Sequence, residues 1–426
     1  MLKKFKLGLF VATLFAGSMW FYVQHVLIGH QQSDAALHGI PRGNLSDLYP
    51  RWLGARELLL HHQDPYSSEV TREIQAGYYG RPLDPSRPDD PKDQQGFAYP
   101  VYVVFLLAPT VTLPFPVVQE GFRWFLGLLT VATVWMWLRT LRWRIPFSTT
   151  AIIMVATLGS FPLLQAIKLQ QLTLLVGGLI AAAALLLAQD YLVAAGMLLA
   201  FATVKPQLAL PLSAWFLLWT FGDWRRRQNL LWGWVGTLAA LFAASEFLLP
   251  GWIWRFGAAI AAYRQYNDGA ASVLDVLITP SNGKVLAALV VLALAVICSR
   301  NRRVPADSAY FSWLSVLVLA VTVVIAPKAA PYNQVLLLPG VLLITKEWPA
   351  FWMKNRLTRA FLLVSAVLFL WPWLAALALT VGAVWLPAAA VQSAWAWPVY
   401  TSLAIPVAVV AVLAAAGGEM GSPGAH

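Results

Sequence analysis

Asp47 lies in the stretch NLSDLYPRWLGARELLLHHQDPYSS, residues 44–68, soon after the first long apolar run of the chain ends. A carboxylate at that place admits two readings. It can exchange a proton with a bound group, or it can cap a helix, with Ser46 beside it. The second reading has a pattern behind it. Leu48, Trp52, Ala55 and Leu59 recur at helical spacing, which predicts an amphipathic helix along the membrane surface. Asp64-Pro65-Tyr66 has the chemistry of a turn. His61 and His62 are adjacent and point to different faces of a helix, so they cannot form a His-x-x-x-His metal pair and read as surface residues. Asp89-Asp90 is not an Asp-x-Asp motif. No metal site is expected from these residues, and no cofactor.

A second set of candidates is cationic. Lys168, Lys205, Arg255, Arg264 and Lys328 fall near the ends of apolar runs. Isolated cations at membrane depth are functional candidates; otherwise they snorkel to lipid head groups.

The elements that must position these residues follow from composition. Of 426 residues, 59% are hydrophobic and 12% charged. Soluble domains carry roughly 25% charged residues, so the chain is built for lipid. Its apolar runs have the length of membrane-crossing helices, where a β-barrel would show short alternating strands. The expected fold is an all-α polytopic membrane protein. A formal charge of +11 is accounted for by the positive-inside rule, and no nucleic-acid partner is expected. The single cysteine, Cys298, excludes a disulfide within the chain. The basic start with its long apolar core reads as a retained first span.

Twelve spans are expected, near 7–28, 99–138, 149–166, 172–188, 191–204, 207–221, 229–249, 283–298, 309–326, 332–345, 359–380 and 397–416. This places the basic clusters at 3–6, 139–144, 223–227, 300–303 and 354–359 in the cytoplasm, with both termini there. Residues 29–98 and 250–282 are then the long extracytoplasmic loops. Prolines split 99–138, so a re-entrant or broken helix is expected before one full span. Residues 1–416 form one transmembrane domain, and 417–426 a disordered tail.

An ordered set of elements resembles glycosyltransferase family 87, whose members use polyprenol-linked sugars. An acid follows the first span (Asp47). Asp64-Pro65-Tyr66 matches a Gly/Asp-Pro-Tyr element, and Tyr99-Pro100-Val101 stands where the family has Tyr-Pro-Pro. Leu169-Gln170-Gln171-Leu172 stands at a Gly-Gln-x-Asn element, Lys205-Pro206-Gln207 matches, and APKAAPYNQVLLLPG resembles a late Pro/Tyr region. The similarity runs to about residue 345. It implies a GT-C type helical bundle with an outward-facing site under the first long loop, whose interfacial helices frame it. It implies inverting transfer of a hexose, mannose first, from a polyprenyl-phosphate sugar to a glycolipid or glycan hydroxyl, at a bacterial inner membrane.

Under that resemblance Asp47 is the general base, with Asp34 and then Asp64 as alternates. Lys205, Lys168, Arg264 and Lys328 are candidates for the donor phosphate. Tyr49, Tyr66, Tyr99, Gln171, Gln207, Tyr263, Tyr332 and Asn333 are candidate substrate contacts, with Tyr266, Asn267 and Gln334 near them. The aromatics can stack on sugars, whereas Trp252 and Trp254 read as interfacial anchors. A polytopic transporter or lipid flippase is the alternative. Inverted repeats and midplane charge pairs, which favour that class, are not seen.

Overall fold

The computed structural model describes residues 2–38, 46–84, 86–87, 90–266 and 271–417. Among them every regular element is a helix, with no strand. Asp89, Asn267 and all but the first residue of the tail expected at 417–426 lie outside the described residues.

Six helical stretches are long and apolar enough to cross a membrane: Phe5–Leu37, Phe115–Thr140, Trp224–Leu248, Pro280–Arg300, Arg356–Gly382 and Ala388–Ala416. Two bent pairs raise that to eight. Phe147–Leu158 turns by 59° into Phe161–Lys168, and Pro331–Lys346 by 69° into Trp348–Lys354. The expected count of about twelve also included Leu172–Ala188, Leu192–Ala202, Pro206–Thr220 and Ala309–Ile325. These are shorter than the roughly 20 residues a span takes, so by length six to eight qualify.

Burial separates two kinds of helix. Ala309–Ile325 is apolar all round, and every side chain from Trp313 to Val324 is buried; Leu172–Ala188 is largely buried too. A helix apolar on all faces belongs inside a bundle or in lipid. The long outer helices instead turn Trp124, Leu128, Phe247, Leu292 and Val367 outward, a surface suited to acyl chains. Leu192–Ala202 meets Trp224–Leu248 at two glycines. A Cβ on Gly196 would strike the Leu230 carbonyl, and one on Gly233 the Val193 carbonyl. Small residues of this kind let membrane helices approach backbone to backbone.

One proline inside a helix is compensated where it breaks a bond. Pro372 lies within Arg356–Gly382 and has no N–H for the carbonyl of Leu368. That carbonyl accepts instead from Thr401 Oγ1 at 3.0 Å. Residues 99–138 show the expected break. A short helix, Val103–Leu107, and a 3-10 turn, Ala108–Thr110, precede Phe115–Thr140.

The basic clusters at 139–144, 223–227, 300–303 and 354–359 gather at one end of the bundle. Arg227 donates to the Arg302 carbonyl at 3.0 Å, Arg142 lies 3.6 Å from Asp307, and Lys354 donates to the carbonyls of Ala415 and Ala416. The opposite end collects residues 46–51, 168–171, 205, 252–266 and 327–333, which form the site described next.

Candidate active site

The first helix runs through a π-helical stretch, Tyr22–Leu27, and on to Leu37, past the end expected at 28. Asp34 therefore lies on this helix. Its carbonyl accepts from the His38 ring at 2.8 Å, and its side chain is exposed.

Asp47 is not a helix cap. The helix Tyr49–His61 begins after Leu48 without a side-chain cap, and it is Ser46 Oγ that accepts from the Leu48 N–H at 3.1 Å. Ser46 and Asp47 are pinned to a distant turn. Asp47 N–H donates to the Leu169 carbonyl at 3.0 Å, and Ser46 Oγ to the same oxygen at 3.3 Å. This leaves the Asp47 carboxylate free of the local backbone, and its Oδ2 accepts from Gln171 Nε2.

The 168–171 turn owes its shape to Gln170, whose φ is +47°. Glycine is the usual residue there, because a Cβ makes the left-handed conformation costly. Gln170 bears that conformation with its own amide, which donates to the carbonyls of Ile167 at 2.6 Å and Lys168 at 2.7 Å. The resemblance to a Gly-Gln-x-Asn element put its glycine at Leu169, whereas the left-handed residue of this turn is Gln170, one position later.

Lys205 heads the helix Pro206–Thr220, where proline suits the first turn. Its side chain is 5% exposed. The ammonium donates to Gln171 Oε1 at 2.6 Å and Thr173 Oγ1 at 2.7 Å, and it lies 5.3 Å from the centre of the Tyr332 ring. Burial pulls its pKa below the ordinary lysine value, while Tyr99 and Asp47 act against that pull. Arg51 donates to the Asp47 carbonyl and lies over the Tyr99 ring at 4.5 Å. Burial opposes its charge, but Tyr99, Asp47, Tyr263 and Tyr332 outweigh that and raise its pKa.

A cavity of about 290 Å³ opens beside this group. Arg51, Tyr99, Gln171, Lys205, Gln207, Tyr263, Arg264, Lys328, Tyr332 and Asn333 are on its walls, with Phe256 and Ile260 adding an apolar side. Lys328 donates to the Tyr263 hydroxyl at 2.8 Å and lies 3.8 Å from Asp93.

Most of the sequence-predicted residues thus converge, and five stand elsewhere. Asp47 adjoins the cavity through Gln171. Lys168 donates to Gln31 Oε1. Tyr66 supports a wall residue, its hydroxyl donating to the Tyr99 carbonyl at 2.6 Å. Tyr49 packs edge-on against Phe115, ring centres 4.8 Å apart. Asp34 points to solvent. Of the secondary candidates, Asp64 pairs with Arg255. Arg51 and Thr173 were missed. Arg51 lies one helical turn beyond Asp47, a spacing that could have flagged it. Thr173 has no signal in the sequence, since threonine inside an apolar helix is ordinary.

Residues 97–344 match the family described as glycosyltransferase family 87. The chain belongs to that family. It is accordingly an enzyme that transfers a sugar, a multi-pass membrane protein with a sugar donor and an acceptor as substrates. No curated protein and no solved structure matches the chain. The matched region of this family 87 enzyme contains every cavity-wall residue from Ala98 onward, whereas Asp47 and Arg51 precede it. Membership sets the transporter alternative aside.

Proposed function

We propose that the enzyme moves a hexose, mannose first, from a polyprenyl-phosphate sugar to a hydroxyl of a glycolipid or glycan, on the extracytoplasmic face, with inversion. The observation that carries this reading is the pairing of Asp47 and Lys205 on the two ends of one glutamine, at the edge of a cavity with three further cations, Arg51, Arg264 and Lys328.

The chemistry is a single displacement. The acceptor O–H breaks and its proton passes to the Asp47 carboxylate. The acceptor oxygen bonds to the anomeric carbon from the face opposite the phosphate. The bond from that carbon to the phosphate oxygen breaks, and its electron pair leaves with the phosphate. Lys205, Arg264 and Lys328 are assigned to the charge that grows there, where buried donors act strongly. Among the described residues no three His, Cys, Asp or Glu side chains group as a ligand set, so the reading gives this task to cations of the chain. Tyr99, Tyr263, Tyr332, Asn333 and Gln207 are assigned to the sugar.

A second cavity supports a lipid-linked donor. It measures about 230 Å³, and its walls include Leu174 and Gln334, which follow Thr173 and Asn333 in the chain. It follows Leu163, Ile153, Phe369 and Trp373 along the apolar interior. Its walls are mainly apolar, with hydroxyls of Thr130, Thr133, Thr157, Ser160 and Thr345 among them, and mainly apolar pockets suit apolar ligands. The gathering of basic clusters at the far end of the bundle supports cytoplasmic termini and an outward site.

The test is transfer of labelled mannose from synthetic polyprenyl-phosphate mannose by purified enzyme, with membrane extract as acceptor. Wild type is expected to transfer the label, and Asp47→Asn to lose at least about 100-fold. Equal rates would remove Asp47 from the role of base. Failure of wild type with this and other polyprenyl-linked sugars would overturn the donor class.

A further inference from the structure

Gln171 touches both ends of the proposed chemistry without belonging to either. It is 2% exposed and precedes the helix Leu172–Ala188 with an extended backbone, φ −68° and ψ 125°. A residue at this position often caps the helix, yet the Gln171 side chain makes no cap bond. It spans instead from Lys205 to Asp47.

Its orientation is decided by Lys205. An ammonium only donates, so it must face the amide oxygen. The amide nitrogen then faces the other way, toward Asp47 Oδ2, which must accept. A flipped amide would set its NH2 against the ammonium and its oxygen against the carboxylate, losing both bonds. The lysine is itself fixed from a second side. Thr173 accepts from it and donates to Asn333 Oδ1 at 3.3 Å, and Asn333 donates to the Lys328 carbonyl at 3.4 Å. The result is a connected polar chain under the cavity, in which each bond polarises the next.

We propose that Gln171 is a positioning residue that couples the phosphate-binding lysine to the base. The charged ammonium orients the amide, the amide engages Asp47 Oδ2, and Oδ1 is left to receive the acceptor proton. This rests on the roles given above to Asp47 and Lys205. The coupling ties the two halves of the displacement together, because the base is held only while the lysine carries the charge that the leaving group needs. The charged and titratable groups facing Asp47 are Arg51 from the helix that follows it, Tyr78, Tyr79, Lys168, Lys205, Lys328 and Tyr332. Among the described residues only Lys205 reaches the carboxylate through Gln171.

Two variants test this in the purified full-length enzyme with synthetic polyprenyl-phosphate mannose. Gln171→Glu keeps an oxygen for Lys205 but sets a second carboxylate against Asp47. Carboxylates so placed share a proton, so the acid limb of the kcat–pH profile is expected to move up by at least about one pH unit, with donor KM within about threefold. Gln171→Met keeps the length and removes both bonds. Its kcat is expected to fall about 10–100-fold, the loss that follows misplacement of a reacting group, again with little change in donor KM. Adding Gln171→Met to Lys205→Met should cost less than about threefold more, because both act along one chain.

An unshifted acid limb in Gln171→Glu, or full multiplication of losses in the double variant, overturns the coupling. If Gln171→Met does not fold, judged by its melting in detergent, the pH profile of Gln171→Glu decides. An active wild type with an inactive Asp47→Asn and an unshifted Gln171→Glu sinks this inference alone. A wild type inactive with every polyprenyl-linked sugar sinks the functional reading and the inference together.

Discussion

Replacing Lys205 by methionine separates function from stability in this enzyme. Methionine has nearly the length of lysine and no charge. In the buried setting of Lys205 the change has two opposed effects on folding. Gln171 Oε1 and Thr173 Oγ1 lose the donor that serves them at 2.6 and 2.7 Å. A buried polar group left without a partner costs about 1–3 kcal/mol, and Thr173 keeps its bond to Asn333. Against this, the variant no longer buries an ammonium, whose desolvation costs several kcal/mol. The terms nearly cancel, and the stability of Lys205→Met is expected to stay within about 2 kcal/mol of wild type. The reaction has no such compensation. A donor aimed at charge that develops in the transition state is worth about 2.7–4 kcal/mol, or roughly 100- to 1000-fold in rate. The assay is labelled-sugar transfer beside thermal unfolding in detergent. A rate loss under about tenfold in a folded variant would refute the phosphate role of Lys205. Loss of the fold would refute the cancellation.

Further outcomes follow from the same geometry. Because burial lowers the Lys205 pKa, its charge is present at low pH and lost as pH rises. The alkaline limb of kcat/KM, which reports the free enzyme, is expected below the ordinary lysine range of about 10.4. It should disappear in Lys205→Arg, whose charge persists. Gly196→Val places methyl groups against the Leu230 carbonyl and the Trp234 N–H. Such overpacking costs about 1–3 kcal/mol, read as a lowered melting temperature; an unchanged melt would mean the two helices part easily. His61→Cys, half-exposed at the site end, should react with a membrane-impermeant maleimide in intact cells. Arg226→Cys, at the basic end and 87% exposed, should react only after lysis. The reverse pattern would invert the proposed topology.

Much of the fold was legible because lipid imposes a simple requirement. A chain that cannot hydrogen-bond to its solvent must form helices, and apolar runs show where. The break in 99–138 was marked by its prolines. Span count was less legible. Leu192–Ala202 and Pro206–Thr220 are apolar enough to read as spans, but turns at 189–191 and 203–205 cut them short.

The site divides in the same way. Lys205, Lys328 and Arg264 stood out because a cation beside apolar runs needs a reason, and the ordered elements of family 87 pointed to Asp47. The helix-cap reading of Asp47 was equally sound locally, since Ser and Asp before a helix are the usual caps. Only tertiary structure excluded the cap. Capping depends on neighbours in the chain, whereas the partner of Asp47 is Gln171, 124 residues away. The left-handed residue of the 168–171 turn was likewise hidden, because a positive φ at Gln170 is a property of the folded turn and not of the residue type. The sequence by itself determined that this is a helical membrane protein with polar groups kept at one end. Which of those groups meet was decided by helix packing, because contacts between residues far apart in the chain depend on how whole helices cross and not on any local pattern.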